Sequence, residues 1–324
     1  MTWRVHDTAN SHFVGSSNLP DLAIYVRSHA DEPSRQPVLF VHGATYASRL
    51  YDIPHPGASW LKATADAGFA AYAMDVRGYG KSRLNSAVGK CVPFAPAKDA
   101  VCDIGDVWRW ISNRHNGRKV ALVGGSWGSM TTSVFSRQIG ASLLSALILY
   151  APIFGQRNVA WLDFLADPAS PDRLNPDFGQ TRLVSEADTR RRWDAEIPDG
   201  ADWRDEAVFQ ALVQSSLSDD PGSLERDPPS FQAPNGTLVD LWEAFNGRPL
   251  YEPGDITCPV LLIRGGADST STRSDALALF DRLGSTRKHY VEIANGAHFV
   301  SAEKRAPEVF STANAFLKRF AAED

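Results

Sequence analysis

The chain has 324 residues, 43% of them hydrophobic and 22% charged, enough to bury a sizeable core as one large domain or as a core with an insertion. A formal charge of −5, with no Lys/Arg block large enough to offset it, argues against nucleic acid and against an anionic membrane surface as partners. The opening MTWRVHDTANSHFVG lacks the apolar stretch of a secretory leader, and the most apolar run, 143–154, is far short of a bilayer span. Cys91, Cys102 and Cys258 form an odd set without metal-ligand spacing. The expectation is a cytoplasmic chain with reduced thiols, a Cys91–Cys102 bridge being the one conceivable pairing.

In chain order, short runs rich in Val, Ile, Leu and aromatics predict strands at 22–27, 38–41, 69–75, 120–124, 146–150, 260–263 and 289–293. Helix-like periodicity between them predicts helices at 59–67, 97–112, 126–139, 274–283 and 307–320. This alternation is the pattern of an α/β fold, a mostly parallel sheet with helices on both faces. It stops after Tyr150 and resumes near Thr257. The intervening residues are richer in Asp, Pro, Arg and Trp, and they predict a mainly helical cap over 152–253, with the core formed by 1–151 and 254–324. Helical patches fall at 161–166, 185–197, 202–217 and 238–245.

At the junction of the 120–124 strand and the following helix stands Gly124-Gly125-Ser126-Trp127-Gly128. Glycines on both sides permit a strained turn that lifts the Ser126 hydroxyl above the sheet, where a base can reach it. A serine hydroxyl is a poor nucleophile at neutral pH and needs a base held in one tautomer by a carboxylate. His298, in Gly296-Ala297-His298-Phe299 after the last strand, fits the base, and Asp268, just past the 260–263 strand at the same sheet edge, fits the acid. An acid after the 146–150 strand is less suited, because the first carboxylate beyond it is Asp163. Amides of Ala44 and Trp127 are candidate donors to an oxyanion. His42, beside Gly43, is expected to be structural and hydrogen-bonded, as is His289 at the start of a strand.

His42-Gly43-Ala44, Asp75-Val76-Arg77-Gly78-Tyr79-Gly80-Lys81-Ser82, Gly124 to Gly128, Gly265-Gly266-Ala267-Asp268 and Gly296 to Phe299 together resemble the α/β-hydrolase superfamily across nearly the whole chain outside the cap. The resemblance implies supporting roles for Asp75, Arg77 and Ser82, and acyl transfer by such a serine requires no cofactor. The elbow is similar to that of proline iminopeptidases, which carry HGGPG where this chain has HGATY. Haloalkane dehalogenases and epoxide hydrolases share the implied fold but attack with an aspartate, which Ser126 does not match.

These residues predict a serine hydrolase acting on a small or medium ester with an apolar acyl or alcohol group. An iminopeptidase-like amidase, a carbon–carbon bond hydrolase or an acyltransferase would use the same triad, and a non-catalytic ligand receptor would reuse the fold. Thr45, Tyr46, Tyr79 and Trp127 are expected at the pocket. Of the cap aromatics Trp161, Phe164, Trp193, Trp203, Phe209, Trp242 and Phe245, only a minority are expected to touch substrate. Asp163, Asp167, Glu186 or Glu196 would serve an amine-binding peptidase. Arg190-Arg191-Arg192 reads as a solvated helix face, with a substrate carboxylate as the alternative.

Overall fold

Val38 and Phe40 point into one apolar layer while Leu39 and Val41 point into the other, so the strand they form is buried on both faces. The computed structural model describes residues 9–83 and 93–321. It begins with β1 (Asn10–Gly15), β2 (Ala23–His29), β3 (Pro37–Val41), α1 (Trp60–Asp66), β4 (Ala70–Met74), α2 (Ala97–Arg114), β5 (Val120–Gly125), α3 (Trp127–Ile139) and β6 (Leu144–Tyr150). The long excursion after β6 carries α4 (Val159–Leu165), β7 (Ala166–Asp167), β8 (Ser170–Leu174), β9 (Thr181–Ser185), α5 (Glu186–Asp194), α6 (Glu206–Ser218), β10 (Ser230–Pro234) and α7 (Gly236–Phe245). The chain then returns through β11 (Val260–Gly265), α8 (Arg273–Arg282), β12 (Lys288–Ile293) and α9 (Ala306–Phe320).

Eight strands form one sheet in the order β1-β2-β4-β3-β5-β6-β11-β12. The β1–β2 and β2–β4 pairs are antiparallel and the others parallel, so β3, β5, β6, β11 and β12 all end at one edge. One face packs on α1 and α9 through Trp60, Leu61, Val309 and Phe310. The other packs on α2, α3 and α8 through Ile104, Trp127, Met130 and Leu279, and that layer continues into the excursion. The seven expected core strands and five core helices all form, with ends that differ by at most two residues.

Two features depart from expectation. β1 pairs with β2 from Asn10–Ser28 to Gly15–Ala23, although its sequence NSHFVG is mostly exposed and polar. The excursion contains the four expected helices but also two small antiparallel sheets, β7–β8 and β9–β10. Their strands have five residues or fewer and no continuous apolar run, so periodicity does not reveal them.

Buried charge fixes the excursion to the sheet. Asp219, at the end of α6, accepts from Arg27 of β2 at 2.8 Å and from Arg49 at 2.9 and 3.0 Å, with Lys81 at 3.3 Å. Asp52 and Asp75 lie in the same group: Asp52 is 3.5 Å from Arg27, and Asp75 accepts the Ser48 and Lys81 amides. Among the described residues no helix is long and apolar enough to cross a membrane.

Candidate active site

Between the last residue of β5 and the first of α3 stands Ser126, at φ 54° and ψ −122°, a conformation that costs an L-residue steric strain. The flanking glycines are a steric necessity. A Cβ at Gly124 would sit 2.2 Å from Thr132 Oγ1 and 2.4 Å from the Gly128 carbonyl, and one at Gly128 would sit 2.4 Å from the Val41 carbonyl. The turn is anchored by the Ser126 amide donating to the Tyr150 carbonyl at 2.8 Å, and by the Ser129 amide and hydroxyl, which both donate to the Ser126 carbonyl.

Three side chains from three loops meet above this turn. Asp268 Oδ1 accepts the amides of Thr270 and Ser271 at 2.9 and 2.8 Å, which leaves Oδ2 to accept from His298 Nδ1 at 2.8 Å. Carrying its proton on Nδ1, the imidazole presents a lone pair on Nε2, and Ser126 Oγ donates to it at 3.0 Å. The Asp268 loop is held by buried Arg264, which donates to the carbonyls of Asp268 and Ser271. Tyr150 donates to the His298 carbonyl at 2.7 Å.

The loop after β3 lies directly against the serine, since a Cβ on Gly43 would be 3.0 Å from Ser126 Cβ. Among the described residues neither the Ala44 nor the Trp127 backbone amide donates to a protein acceptor. Buried His42 accepts the Val76 amide at Nε2 and so donates from Nδ1 to the Gly43 carbonyl, and burial lowers its pKa. The expected structural role is what its bonds describe. Ser82 donates to the Asp75 carbonyl within the 75–82 loop, and Arg77 forks onto Asp103 of α2, so the loop is braced both on itself and against that helix.

A cavity of about 500 Å³ opens onto Ser126 and His298. Of the residues expected at the pocket, Thr45 and Tyr46 line it, beside Ala44 and, among the seven cap aromatics, Trp161 and Phe164. Leu183, Val184, Leu238 and Leu241 from the excursion complete an apolar wall that sequence reading did not find; the short β-prone run Thr181–Ser185 was the available signal.

Two pocket expectations are corrected. Tyr79 does not line this cavity. Gly78 and Gly80, at φ 82° and 47°, turn it inward, so its hydroxyl donates to the Ala44 carbonyl at 2.8 Å and its ring packs on His42. The Trp127 side chain is also outside, because its indole Nε1 donates to buried Asp240 Oδ2 of α7 at 2.8 Å.

The charged residues of the excursion divide sharply. Arg190 is drawn to Glu186 and Glu206, whereas Arg191 and Arg192 line the cavity, so the three do not form one solvated face. Asp163, Asp167, Glu186 and Glu196 are all absent from the cavity wall. Glu196 is instead engaged by the amides of His298 and Ser269 and by Arg192. Among the described residues no group of three or more His, Cys, Asp or Glu side chains is arranged to hold a metal ion. Cys102 is exposed and Cys258 buried, while the Cys91 half of the conceivable bridge lies outside the described residues.

No curated protein matches the chain. Solved structures of similar fold include an esterase from Exiguobacterium antarcticum, 16% identical with a TM-score of 0.66 over 95% of this chain and 100% of that one. A thermophilic esterase from Thermogutta terrifontis is 17% identical, TM-score 0.63, over 96% and 99%. A bromoperoxidase from Bacillus anthracis is 15% identical, TM-score 0.62, over 95% and 100%. At these identities the likeness is one of fold. The model of the Alpha/beta hydrolase family matches residues 38–313, most of the sheet and all three loops that meet above the elbow, and the chain therefore belongs to the alpha/beta hydrolase family.

Proposed function

We infer that this family member is a serine hydrolase that cleaves a small or medium carboxylic ester through an acyl-enzyme. The observation that carries the reading is the unbroken hydrogen-bonded path from Ser126 Oγ through His298 to Asp268 Oδ2. Ser126 Oγ attacks the ester carbonyl carbon as its proton passes to His298 Nε2, and Asp268 stabilises the resulting imidazolium. The free amides of Ala44 and Trp127 receive the oxyanion. The tetrahedral adduct collapses, the alkoxide leaves with the proton from Nε2, and water repeats the sequence to release the acid and restore Ser126. Loss of one oxyanion donor costs on the order of 10²- to 10³-fold, comparable with the on the order of 10²- to 10⁴-fold from positioned proton transfer.

An ester fits better than a peptide with a free amino terminus. Among the described residues the only carboxylate on the cavity wall, Asp188, is occupied by Ser185 and Arg191, so none of them leaves an acid free to receive an ammonium group. Residues 152–253 act as the lid that shapes the acyl and alcohol sites, and the chain works in the cytoplasm without a cofactor.

The test is hydrolysis of p-nitrophenyl esters of increasing acyl length, beside aminoacyl-proline amides, by the wild-type chain and Ser126→Ala. Ester turnover that the substitution abolishes supports the reading. Turnover that survives it, or no turnover of any ester, overturns it.

A further inference from the structure

The charges on the cavity wall do not balance. Arg191 is paired with Asp188 and Arg192 with Glu196, but Arg182 makes no ion pair among the described residues. Its contacts are all with neutral oxygens: Nη1 donates to the Pro234 carbonyl and Asn235 Oδ1, both at 2.9 Å, and Nη2 to the Ala44 carbonyl at 2.5 Å and, weakly, to Thr45 Oγ1 at 3.4 Å. A guanidinium stays protonated in proteins, so half-buried Arg182 places a full positive charge on the cavity wall with no counter-ion beside it among the described residues.

The geometry points to Arg182 as an anion subsite of the same cavity, receiving a carboxylate carried by the substrate. The guanidinium is held in place by β10 and by the loop after β3, so it is preorganised before an anion arrives. Its Nε–H has no protein acceptor among the described residues, and the long Nη2 contact to Thr45 is easily exchanged. These two donors offer the side-on fork that matches a carboxylate. Burial pulls the pKa of the guanidinium down, opposed only by the Tyr79 hydroxyl, as expected for a cation desolvated without a counter-ion. Arg182 touches Ala44, one residue from the Gly43 that packs on Ser126, so the carboxylate would lie close to the ester on the oxyanion-loop side. The remaining wall is apolar and takes the rest of the molecule. The substrate is thus an ester bearing a free carboxylate, such as a monoester of a short dicarboxylic acid. This assignment rests on the serine hydrolase reading.

The experiment compares p-nitrophenyl butyrate with mono-p-nitrophenyl glutarate, neutral and anionic probes of similar length, in the wild-type chain, Arg182→Gln and Arg182→Lys. The reading is the ratio of kcat/KM for the anionic over the neutral ester within each variant, which cancels any general loss of activity. A charge-assisted fork predicts a wild-type ratio on the order of 10- to 100-fold, falling to near one in Arg182→Gln and partly kept in Arg182→Lys. A wild-type ratio near or below one, or a ratio unchanged by Arg182→Gln, overturns the subsite. If neither ester turns over, the hydrolase reading fails separately. Calorimetric binding of free glutarate then decides the subsite: binding that Arg182→Gln removes upholds it, and no binding, or binding that survives the substitution, overturns it.

Discussion

The backbone amide of His298 donates to Glu196 Oε2 at 2.8 Å, so the loop bearing the proposed base is held by a side chain from the excursion. Oε1 of the same carboxylate accepts the amide and hydroxyl of Ser269, the residue after Asp268, at 3.2 and 2.5 Å. Burial pushes the Glu196 carboxyl up, but facing His298, Arg192 and the Ser269 donors outweigh it and hold the group below its ordinary range. One ionised side chain therefore sets the spacing between the base loop and the acid loop.

Glu196→Gln keeps the size but turns an N–H₂ toward one of the two donor sets, and Glu196→Ala leaves both without an acceptor. Small displacements of reacting groups are costly, so ester kcat is expected to fall on the order of 10-fold in the first and 10²-fold in the second. KM should move less, since Glu196 does not line the cavity. Wild-type kcat in both variants would mean that the two loops hold their own spacing.

Asp268→Asn tests the tautomer argument. The Thr270 and Ser271 amides claim the side-chain oxygen, so the new amide group must face His298 Nδ1. The imidazole then moves its proton to Nε2 and cannot accept from Ser126. The expected loss is on the order of 10⁴-fold in kcat with the fold intact, read by ester hydrolysis and circular dichroism. A loss below about tenfold would assign the acid role elsewhere.

Asp219→Ala tests the anchoring of the excursion. Removing this carboxylate leaves Arg27 and Arg49 buried without their shared partner, a change that typically costs about 3–5 kcal/mol. Arg27, Arg49 and Lys81 hold the Asp219 carboxyl below its ordinary value in spite of burial. Its stabilisation is therefore present above the unfolded pKa near 4 and lost as pH falls through the folded one. Urea unfolding of the variant should show a lowered midpoint at pH 7 and a smaller difference from wild type in acid. An unchanged midpoint at pH 7 would refute the anchor.

Ser126 and His298 were legible in the sequence because sterics demand glycines around them, and Asp268 because a parallel sheet delivers its loops to one edge. Tyr79 was misplaced because a motif says where a loop lies and not which way its side chain turns. Here a Cβ at Gly80 would strike Asp75 Oδ2, and the glycine-permitted turn buries the ring. Glu196, Arg182 and Asp240 were illegible in these roles because their partners are far along the chain: His298, Ala44 and Trp127 are 102, 138 and 113 residues away. Short segments of the excursion acquire meaning only once the sheet has brought those partners together.

The last of these residues carries a prediction about pH. Asp240 Oδ2 accepts both the Trp127 indole and the Ala97 amide at the start of α2, yet burial, with Asp99 and Glu243 nearby, pushes its pKa up to about 7. In the unfolded chain the same carboxyl ionises near 4, so between pH 4 and 7 the folded protein holds a proton that the unfolded one has lost. Stability from this group is full below the unfolded pKa and declines as pH rises through the folded one. Glu303, raised to about 7 by burial while accepting from Ala297 and Trp193, acts in the same direction. Asp240→Asn keeps an oxygen for both donors and cannot ionise. The slope of its unfolding free energy against pH should be less negative than that of wild type over that window, the difference approaching about 1.4 kcal/mol for each pH unit in its middle, while the other titrating groups, Glu303 and Asp219 among them, contribute equally to both. Unfolding in urea at half-unit steps of pH measures both slopes, and parallel slopes would mean that Asp240 is already ionised in the fold.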